Sequence, residues 1–444
     1  MTREELLNKK VAMISLGCDK NTVDAERMLY LISNYGFNIT NDLNEASIVI
    51  INTCAFILDA RKESIDKIFE VLNLKSYNVE KVIVTGCLPQ KNYDDVVKLI
   101  PEVDAFVRIK NNEKIVDIIK GLYGVEDNTK IKSNKLNRVQ STPKNYAYLK
   151  IADGCNNFCS YCTIPFIRGR YKSVPMEEII DEAKVLVSSG VKELILVAQD
   201  VTNYGIDLYG QLKLVELLQK LSKIKNLKWI RLHYCYPHLI TNELLEEINN
   251  NDKVCKYLDI PLQHISNTVL KNMNRQDTKE SIEHLIDKIK GMDNKIAIRS
   301  TFIVGFPKEG RKDFKELKNF ITTYKLDNVG FFTYSREENT KAYYMKGQVL
   351  NFIKKRRLKE IQNLQHKILL EHQQSYVGQV LNCICEDKLE ENIYQFRSEY
   401  NSPNVDTVIY VKSDKPLKLN EFYPISILSI INDDLEGEVY EPTK

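Results

Sequence analysis

Six of the ten cysteines fall into two sets of three, and each set restricts the fold in its own way. Cys155, Cys159 and Cys162 lie in Gly154-Cys155-Asn156-Asn157-Phe158-Cys159-Ser160-Tyr161-Cys162, a C-x3-C-x2-C loop directly after the apolar run Tyr146 to Ile151. Three thiols this close can wrap one compact metal centre. A fully protein-held [4Fe-4S] cube takes four cysteines, so a loop with three and no nearby fourth leaves one iron for a small molecule. Zinc is the rival metal, although this is not finger spacing. Three unligated core cysteines are the bland alternative, and such residues have no reason to crowd into a Gly/Asn-rich loop.

The other set is dispersed. Cys18 ends the run Val11 to Gly17, Cys54 ends Ile48 to Thr53, and Cys87 ends Lys81 to Gly86. Each run reads as a buried strand, and helical periodicity follows the first two, in Ala25, Met28, Leu29, Ile32 and in Ile65, Ile68, Phe69, Leu72. Strand-helix alternation predicts an open parallel α/β sheet. The carboxyl ends of its strands share one edge, where ligands bind, so the three cysteines can converge across separations of 36 and 33 residues. Taken singly, each is a small apolar residue closing a strand; three in the same local position read as a set.

At 444 residues, and about 150 per domain, the chain has room for about three domains. No stretch approaches the roughly 18 apolar residues of a membrane span, and the first ten residues lack a signal-peptide apolar segment. The expected location is the cytoplasm, with no membrane partner. Thiols stay reduced there, so the cysteines read as ligands and core residues, and disulfides are not expected.

The predicted domains span residues 9–125, 141–371 and 374–442. A polar stretch, Glu126 to Lys144, separates the first from the second. The second carries predicted strands Tyr146 to Ile151, Glu193 to Ala198, Lys228 to His233, Tyr257 to Pro261, Ala297 to Gly305 and Val329 to Tyr334, with helices such as Met176 to Ser188 and Leu212 to Ile224 between them. Six βα units predict a partial barrel, whose working face lies at the strand carboxyl ends. Cys155 follows the first of these strands, and Gln199 and Asp200 follow the second. The basic run Lys354-Lys355-Arg356-Arg357 reads as a solvated helix face, with an RNA-binding patch as the alternative. Beyond Tyr376, short apolar runs alternate with turn residues, which fits a small all-β barrel. That tail holds 13 acidic against 6 basic residues, a charge of −7; the whole chain is +3, which leaves +10 for the remainder.

These motifs together resemble the radical S-adenosylmethionine methylthiotransferases over nearly the whole chain. The Cys155–Cys162 loop is similar to the cluster loop of that superfamily, the strand-end cysteines to the N-terminal domain of its methylthiotransferases, and the tail to their TRAM domain. Within the family, Ile14-Ser15-Leu16-Gly17-Cys18, Val197-Ala198-Gln199-Asp200, Tyr234-Cys235-Tyr236-Pro237, Leu258 to His264 and Thr333-Tyr334-Ser335-Arg336-Glu337-Glu338 resemble the branch that modifies a ribosomal protein. The resemblance implies two [4Fe-4S] clusters, ligated by Cys18, Cys54, Cys87 and by Cys155, Cys159, Cys162. It also implies S-adenosylmethionine on the open iron of the second, and a low-potential donor such as a flavodoxin or ferredoxin. The implied reaction adds a methylthio group to an aspartate β-carbon of small-subunit ribosomal protein twelve.

The resemblance places Tyr161 near the adenine, or else on the barrel rim. It makes Gln199 and Arg299 candidates for the methionyl amine and carboxylate, with a structural ion pair as the other role for Arg299. Asp259, Gln263 and His264 are candidates for the substrate pocket; Cys235, Cys255, Cys383 and Cys385 read as core. Asp19 stands where the family has proline, Lys308-Glu309-Gly310 where it has Gly-Glu-Thr, and Asn401-Ser402 where it has Asp-Ala. Two alternatives stay open: the tRNA-adenosine branch, against which the acidic tail argues because phosphate binding needs Lys and Arg, and a two-cluster electron-transfer protein.

Overall fold

The computed structural model describes residues 1–127, 129 and 137–441. Part of the predicted Glu126–Lys144 separator, and residue 442 at the end of the predicted third domain, lie outside the described residues. After the short helix α1 (Arg3–Leu7), the first body is a five-stranded sheet of β1 (Lys10–Ser15), β2 (Asn38–Ile39), β3 (Ile48–Thr53), β4 (Lys81–Gly86) and β5 (Ala105–Phe106) in the order β2-β1-β3-β4-β5. Every neighbouring pair is parallel. A parallel sheet needs a crossover between strands, and α2 (Asp19–Tyr35), α3 (Leu58–Asn73), α4 (Cys87–Leu99) and α5 (Ile115–Leu122) cover its faces. β3 is buried at all six positions, as a central strand covered on both faces must be. In α3 the register differs slightly from expectation: Ile68 and Val71 are buried while Phe69 is 48% exposed.

The central body is a six-stranded parallel sheet of β6 (Tyr146–Lys150), β9 (Glu193–Val197), β10 (Trp229–Leu232), β11 (Val254–Gln263), β12 (Ala297–Val304) and β13 (Asn328–Thr333), in sequential order. A two-stranded antiparallel ribbon, β7 (Ala152–Asp153) with β8 (Lys172–Ser173), brackets the cysteine loop. Alternate residues of each strand feed two environments. Leu194 and Leu196 join the large core beneath the outer helices, whereas Ile195 and Val197 meet Tyr146 and Tyr148 on the inner face.

The long helix Asn351–Tyr376 then leads to a closed barrel of β14 (Val380–Lys388), β15 (Ile393–Ser398), β16 (Ile409–Lys412), β17 (Phe422–Ile431) and β18 (Asp434–Val439). The basic run on this helix is a solvated face in only two of its four residues. Lys354 and Arg357 are buried, Lys354 Nζ donating to the Tyr334 carbonyl at 2.8 Å and Arg357 Nη1 to Glu309 Oε1 at 2.7 Å. Their neighbours Lys355 and Arg356 alone face solvent.

Buried ion pairs join barrel to sheet. Glu193 accepts from Arg231 Nε at 2.6 Å and from Arg397 of the tail, and Arg397 also donates to Glu386 at 2.8 Å. A network at the inner face reaches all three bodies: Asp19 accepts from the Tyr234 hydroxyl at 3.1 Å and lies 3.4 Å from His233 Nδ1, whose Nε2 meets the Ser402 hydroxyl at 2.8 Å. Asp19 thus has a structural task. Lys308 sits at φ +68°, the left-handed conformation that glycine adopts freely.

Candidate functional site

The second cysteine loop is pinned near its start by residues just after it and near its end by carbonyls 112 residues or more downstream. Gly154 has φ +79°, and a Cβ there would lie 2.1 Å from the Arg170 carbonyl oxygen, so the chain can only close here without a side chain. The Cys155 amide donates to the Gly169 carbonyl at 3.2 Å, and the Ser160 amide and hydroxyl donate to Met273 and Asn272 carbonyls at 2.9 and 2.7 Å. Donors point at the sulfurs. The Asn157 amide lies 3.5 Å from Cys155 Sγ, the Ile164 amide 3.4 Å from Cys162 Sγ, and Arg275 Nη1 4.0 Å from Cys159 Sγ. Burial, with the neighbouring Cys159, pushes the Cys155 thiol up to about 11 and raises Cys162 further. Thiols held protonated by burial ionise when a metal takes the proton's place, and the amide donors fit the resulting thiolates.

The dispersed set converges at the carboxyl ends of β1, β3 and β4. Cys18 is the N-cap residue of α2, Cys54 follows β3, and Cys87 opens α4. Gly17 lies against Cys54, where a Cβ would come within 3.0 Å of its Sγ. Asn21, fully buried, knits the loops together: its Nδ2 donates to the Leu16 and Thr53 carbonyls at 2.9 and 3.1 Å, and its Oδ1 is 3.7 Å from Cys87 Sγ. Gly86, at φ +95°, packs so tightly on the β3 end that a Cβ would lie 2.4 Å from the Thr53 carbonyl oxygen. Burial raises the Cys54 thiol and lifts Cys87 to about 12, with Cys18 adding to both. Among the described residues, no group of three His, Cys, Asp or Glu side chains closes around a single metal ion. A cube takes one thiolate per iron and accepts the wider spacing of three mutually interacting thiols.

The frames of the two sets are linked by Arg168, a residue the sequence reading did not single out. It ends the short helix α6 (Ile164–Arg168) that follows the second loop. Its Nη1 donates to Asp24 at 2.6 Å and Asp153 at 3.2 Å; its Nη2 bonds Asn21 Oδ1 and lies 4.0 Å from Cys87 Sγ. Lys150 joins the same two aspartates. Against the cost of burial, the Lys150 and Arg168 charges hold Asp24 and Asp153 below the usual carboxylate range. No periodic signal marks Arg168; the only hint is a basic pair, Arg168 and Arg170, just past the loop.

Gln199 is brought to this site. Its Nε2 donates to Asp153 Oδ1 at 3.1 Å, and its Oε1 is buried without a partner, the kind of orphaned acceptor a ligand ammonium satisfies. Tyr161 packs edge-on against Phe306, 6.2 Å between ring centres, in a cluster with Met273, Tyr334 and Ala342. Arg299 goes elsewhere. It is the third residue of the eight-residue β12, far from that strand's carboxyl end, and its guanidinium pairs with Asp406 of the tail barrel. Of the two roles left open by the sequence, the structural ion pair is the one observed.

Asp259 accepts from the Tyr234 amide at 3.1 Å, and burial raises its carboxyl. Gln263 ends β11 in a left-handed conformation. His264 is fully buried, its Nδ1 accepting from the Ser266 amide at 3.0 Å. Cys235, Cys255, Cys383 and Cys385 are all core residues. Arg397 and Asp406 are buried against the central sheet, so the tail motif is an interface between domains.

Comparison with known proteins agrees with this geometry. The Radical SAM superfamily matches residues 149–321, the uncharacterized protein family UPF0004 residues 10–108, and the TRAM domain residues 377–439. The chain is 46% identical to the ribosomal protein uS12 methylthiotransferase RimO of Thermoanaerobacter sp. (strain X514) over 438 residues, 97% of this chain and 100% of that protein. It is 45% identical to those of Acetivibrio thermocellus, over 98% and 99% of the two chains, and Clostridium tetani, over 97% and 98%. Among solved structures, the radical S-adenosylmethionine methyltransferase TsrM from Kitasatospora setae superposes with a TM-score of 0.56 at 13% identity, over 75% of this chain and 77% of that one. That likeness concerns the fold alone. With three matched domains in this order and full-length relatives at such identity, the chain belongs to the RimO family of radical S-adenosylmethionine methylthiotransferases.

Proposed function

We propose that this chain adds a methylthio group to the β-carbon of an aspartate in ribosomal protein uS12. The observation that carries the reading is a pair of three-thiol sites in one chain, joined through Arg168. Cys155, Cys159 and Cys162 would hold one [4Fe-4S] cluster and Cys18, Cys54 and Cys87 a second, each with one iron left open. When bound, the clusters and S-adenosylmethionine supply a 5′-deoxyadenosyl radical able to take hydrogen from an unactivated carbon, together with sulfur and methyl, a chemistry no side-chain acid or base offers.

The chain's own part is positioning. The free Gln199 oxygen would receive the methionyl amine, Tyr161 would border the adenine, and Asn157, Ile164 and Arg275 would donate to ligand sulfurs. Arg168 and Lys150 neutralise Asp24 and Asp153, so two carboxylates can sit between the sites without mutual repulsion. Residues 9–125, 141–371 and 374–442 would act as sulfur-bearing, radical-generating and substrate-docking units. A tail of charge −7 from Tyr376 onward suits a basic ribosomal protein and repels RNA. The setting would be the cytoplasm, with a flavodoxin- or ferredoxin-like donor.

The test is anaerobic: reconstituted protein, S-adenosylmethionine, reductant and sulfide are offered uS12 and tRNA together, and both are followed by mass spectrometry. A methylthio gain on the uS12 aspartate peptide is expected. A gain on tRNA adenosine alone would overturn the reading.

A further inference from the structure

The segment Ser335-Arg336-Glu337-Glu338-Asn339-Thr340, just beyond β13, carries a buried carboxylate with no role in the site as described. Glu337 is 2% exposed and accepts four hydrogen bonds. Its Oε1 takes the Leu58 amide at 2.8 Å and the Ser335 hydroxyl at 2.7 Å; its Oε2 takes Arg61 Nη2 at 2.8 Å and Lys91 Nζ at 3.2 Å. Three of these donors belong to the first body, 246 to 279 residues away in sequence. Their placement is informative. Leu58 is the first residue of α3, the helix that follows Cys54, and that helix has no side-chain cap of its own. Lys91 lies one turn into α4, the helix that begins at Cys87. Glu337 therefore grips the two elements that carry Cys54 and Cys87, and it places a negative charge at an uncapped helix N-terminus, where it is favourable.

The same segment also holds the second cysteine loop. The Ala342 amide donates to the Ser160 carbonyl at 2.8 Å, and Tyr334 and Ala342 pack with Tyr161. The segment is itself anchored, the Thr340 hydroxyl donating to the Glu337 carbonyl at 2.6 Å and Lys354 to the Tyr334 carbonyl. One stretch of about ten residues thus touches the frames of both cysteine sets, through contacts separate from those of Arg168.

We infer that Glu337 is a positioning residue that fixes the first cysteine set relative to the second, so that sulfur transfer stays coupled to radical formation. The inference rests on the proposed two-site reaction. A misplacement of the order of 1 Å between reacting groups can cost about a hundredfold in rate, and the carboxylate is the direct link between the 335–345 segment and the starts of α3 and α4.

The test uses the full-length chain and two readouts. In the metal-free protein, Glu337→Gln should speed hydrogen exchange about tenfold or more at the first turns of α3 and α4, leaving β3 and β4 protected. In the reconstituted enzyme the same variant should keep its iron, while methylthiolated uS12 per 5′-deoxyadenosine released falls about ten- to a hundredfold. Arg61→Ala, which removes one donor from the far side, should do the same to a smaller degree, and serves if Glu337→Gln folds poorly. Unchanged exchange with an unchanged product ratio overturns the inference, as does a parallel fall in both products or faster exchange throughout the sheet. If the wild-type enzyme transfers nothing to uS12, the proposed function fails, and the exchange measurement alone decides the role of Glu337.

Discussion

Cys155, Cys159 and Cys162 share one eight-residue loop, closed by the ribbon β7–β8 and fastened to Asn272, Met273 and Ala342, whereas Cys18, Cys54 and Cys87 are neighbours only because three strands lie side by side in register. The chain itself groups the first set, which distant segments then fasten; only the packing of a whole sheet groups the second. The grouping of the first survives damage elsewhere; that of the second inherits every perturbation of its domain. Burial raises Cys54 and Cys87 in one set and Cys155 and Cys162 in the other, so each set gains from metal binding, but only the dispersed set must pay loop-closure entropy over tens of residues first.

Removing ligands gives the largest expected effect. Alanine at Cys155, Cys159 or Cys162 should abolish S-adenosylmethionine cleavage, measured as 5′-deoxyadenosine released. Alanine at Cys18, Cys54 or Cys87 should preserve cleavage and stop methylthio transfer. Continued transfer by Cys18→Ala without its iron would break the distinction between the sites.

Backbone strain sharpens the same contrast. Gly86→Ala forces a side chain onto the Thr53 backbone and should destabilise the first body by about 2–4 kcal/mol, visible as a lower thermal midpoint with loss of first-site iron. Gly154→Ala, clashing with Arg170, should remove second-site iron and leave the dispersed set loaded. Equal loss of iron at both sites in either variant would contradict a local second site.

A third comparison separates the mouth of the central sheet from its floor. Gln199→Ala should weaken S-adenosylmethionine binding about tenfold, the worth of one good hydrogen bond to a charged group. Arg299→Ala should leave that affinity unchanged and instead cost about 1–3 kcal/mol of stability, because the Asp406 carboxylate, 1% exposed, loses its counter-charge and keeps only the Tyr257 hydroxyl and the Ser402 amide. Calorimetric titration and thermal melts distinguish the two.

The smallest effect concerns acid. Burial, outweighing the nearby Asp313 charge and aided by Arg357, lowers His264 from 6.5 to about 3. The folded chain refuses a proton that the unfolded chain accepts below its ordinary value, so stability is full above pH 6.5 and is lost as pH falls from there toward 3. The contribution at pH 5.5 is about 1 kcal/mol. Denaturant midpoints across this window should fall less steeply in His264→Asn.

Much of this architecture was legible in the residues. The strands Val11 to Gly17, Ile48 to Thr53 and Lys81 to Gly86 appear, within a residue or two, as β1, β3 and β4, since a short apolar run bounded by turn residues fits a buried strand. The six central strands and the helix Met176–Ser188 follow their periodicity within a few residues. The cysteine sets could be grouped because each member ends a strand or shares one loop. Arg168, Asn21 and Glu337 were not legible as site residues, because their partners are distant in sequence and no spacing rule connects them. Half of the basic run on the long helix was misread for the same reason: Lys354 and Arg357 find acceptors on other elements.

What the sequence by itself determined is the set of parts: two groups of three thiols, a parallel sheet, a partial barrel of six βα units and an acidic β tail. Each follows from residue type and short-range periodicity, which are fixed along the chain. The tertiary structure alone decided that Arg299 serves the tail interface while Gln199 keeps a free oxygen beside the loop. It alone brought Arg168 to both Asp153 and Cys87, and Glu337 against the helices of the first set. A buried charge takes whichever opposite charge or backbone donor the packed surface presents to it, and that choice is made only when the domains meet.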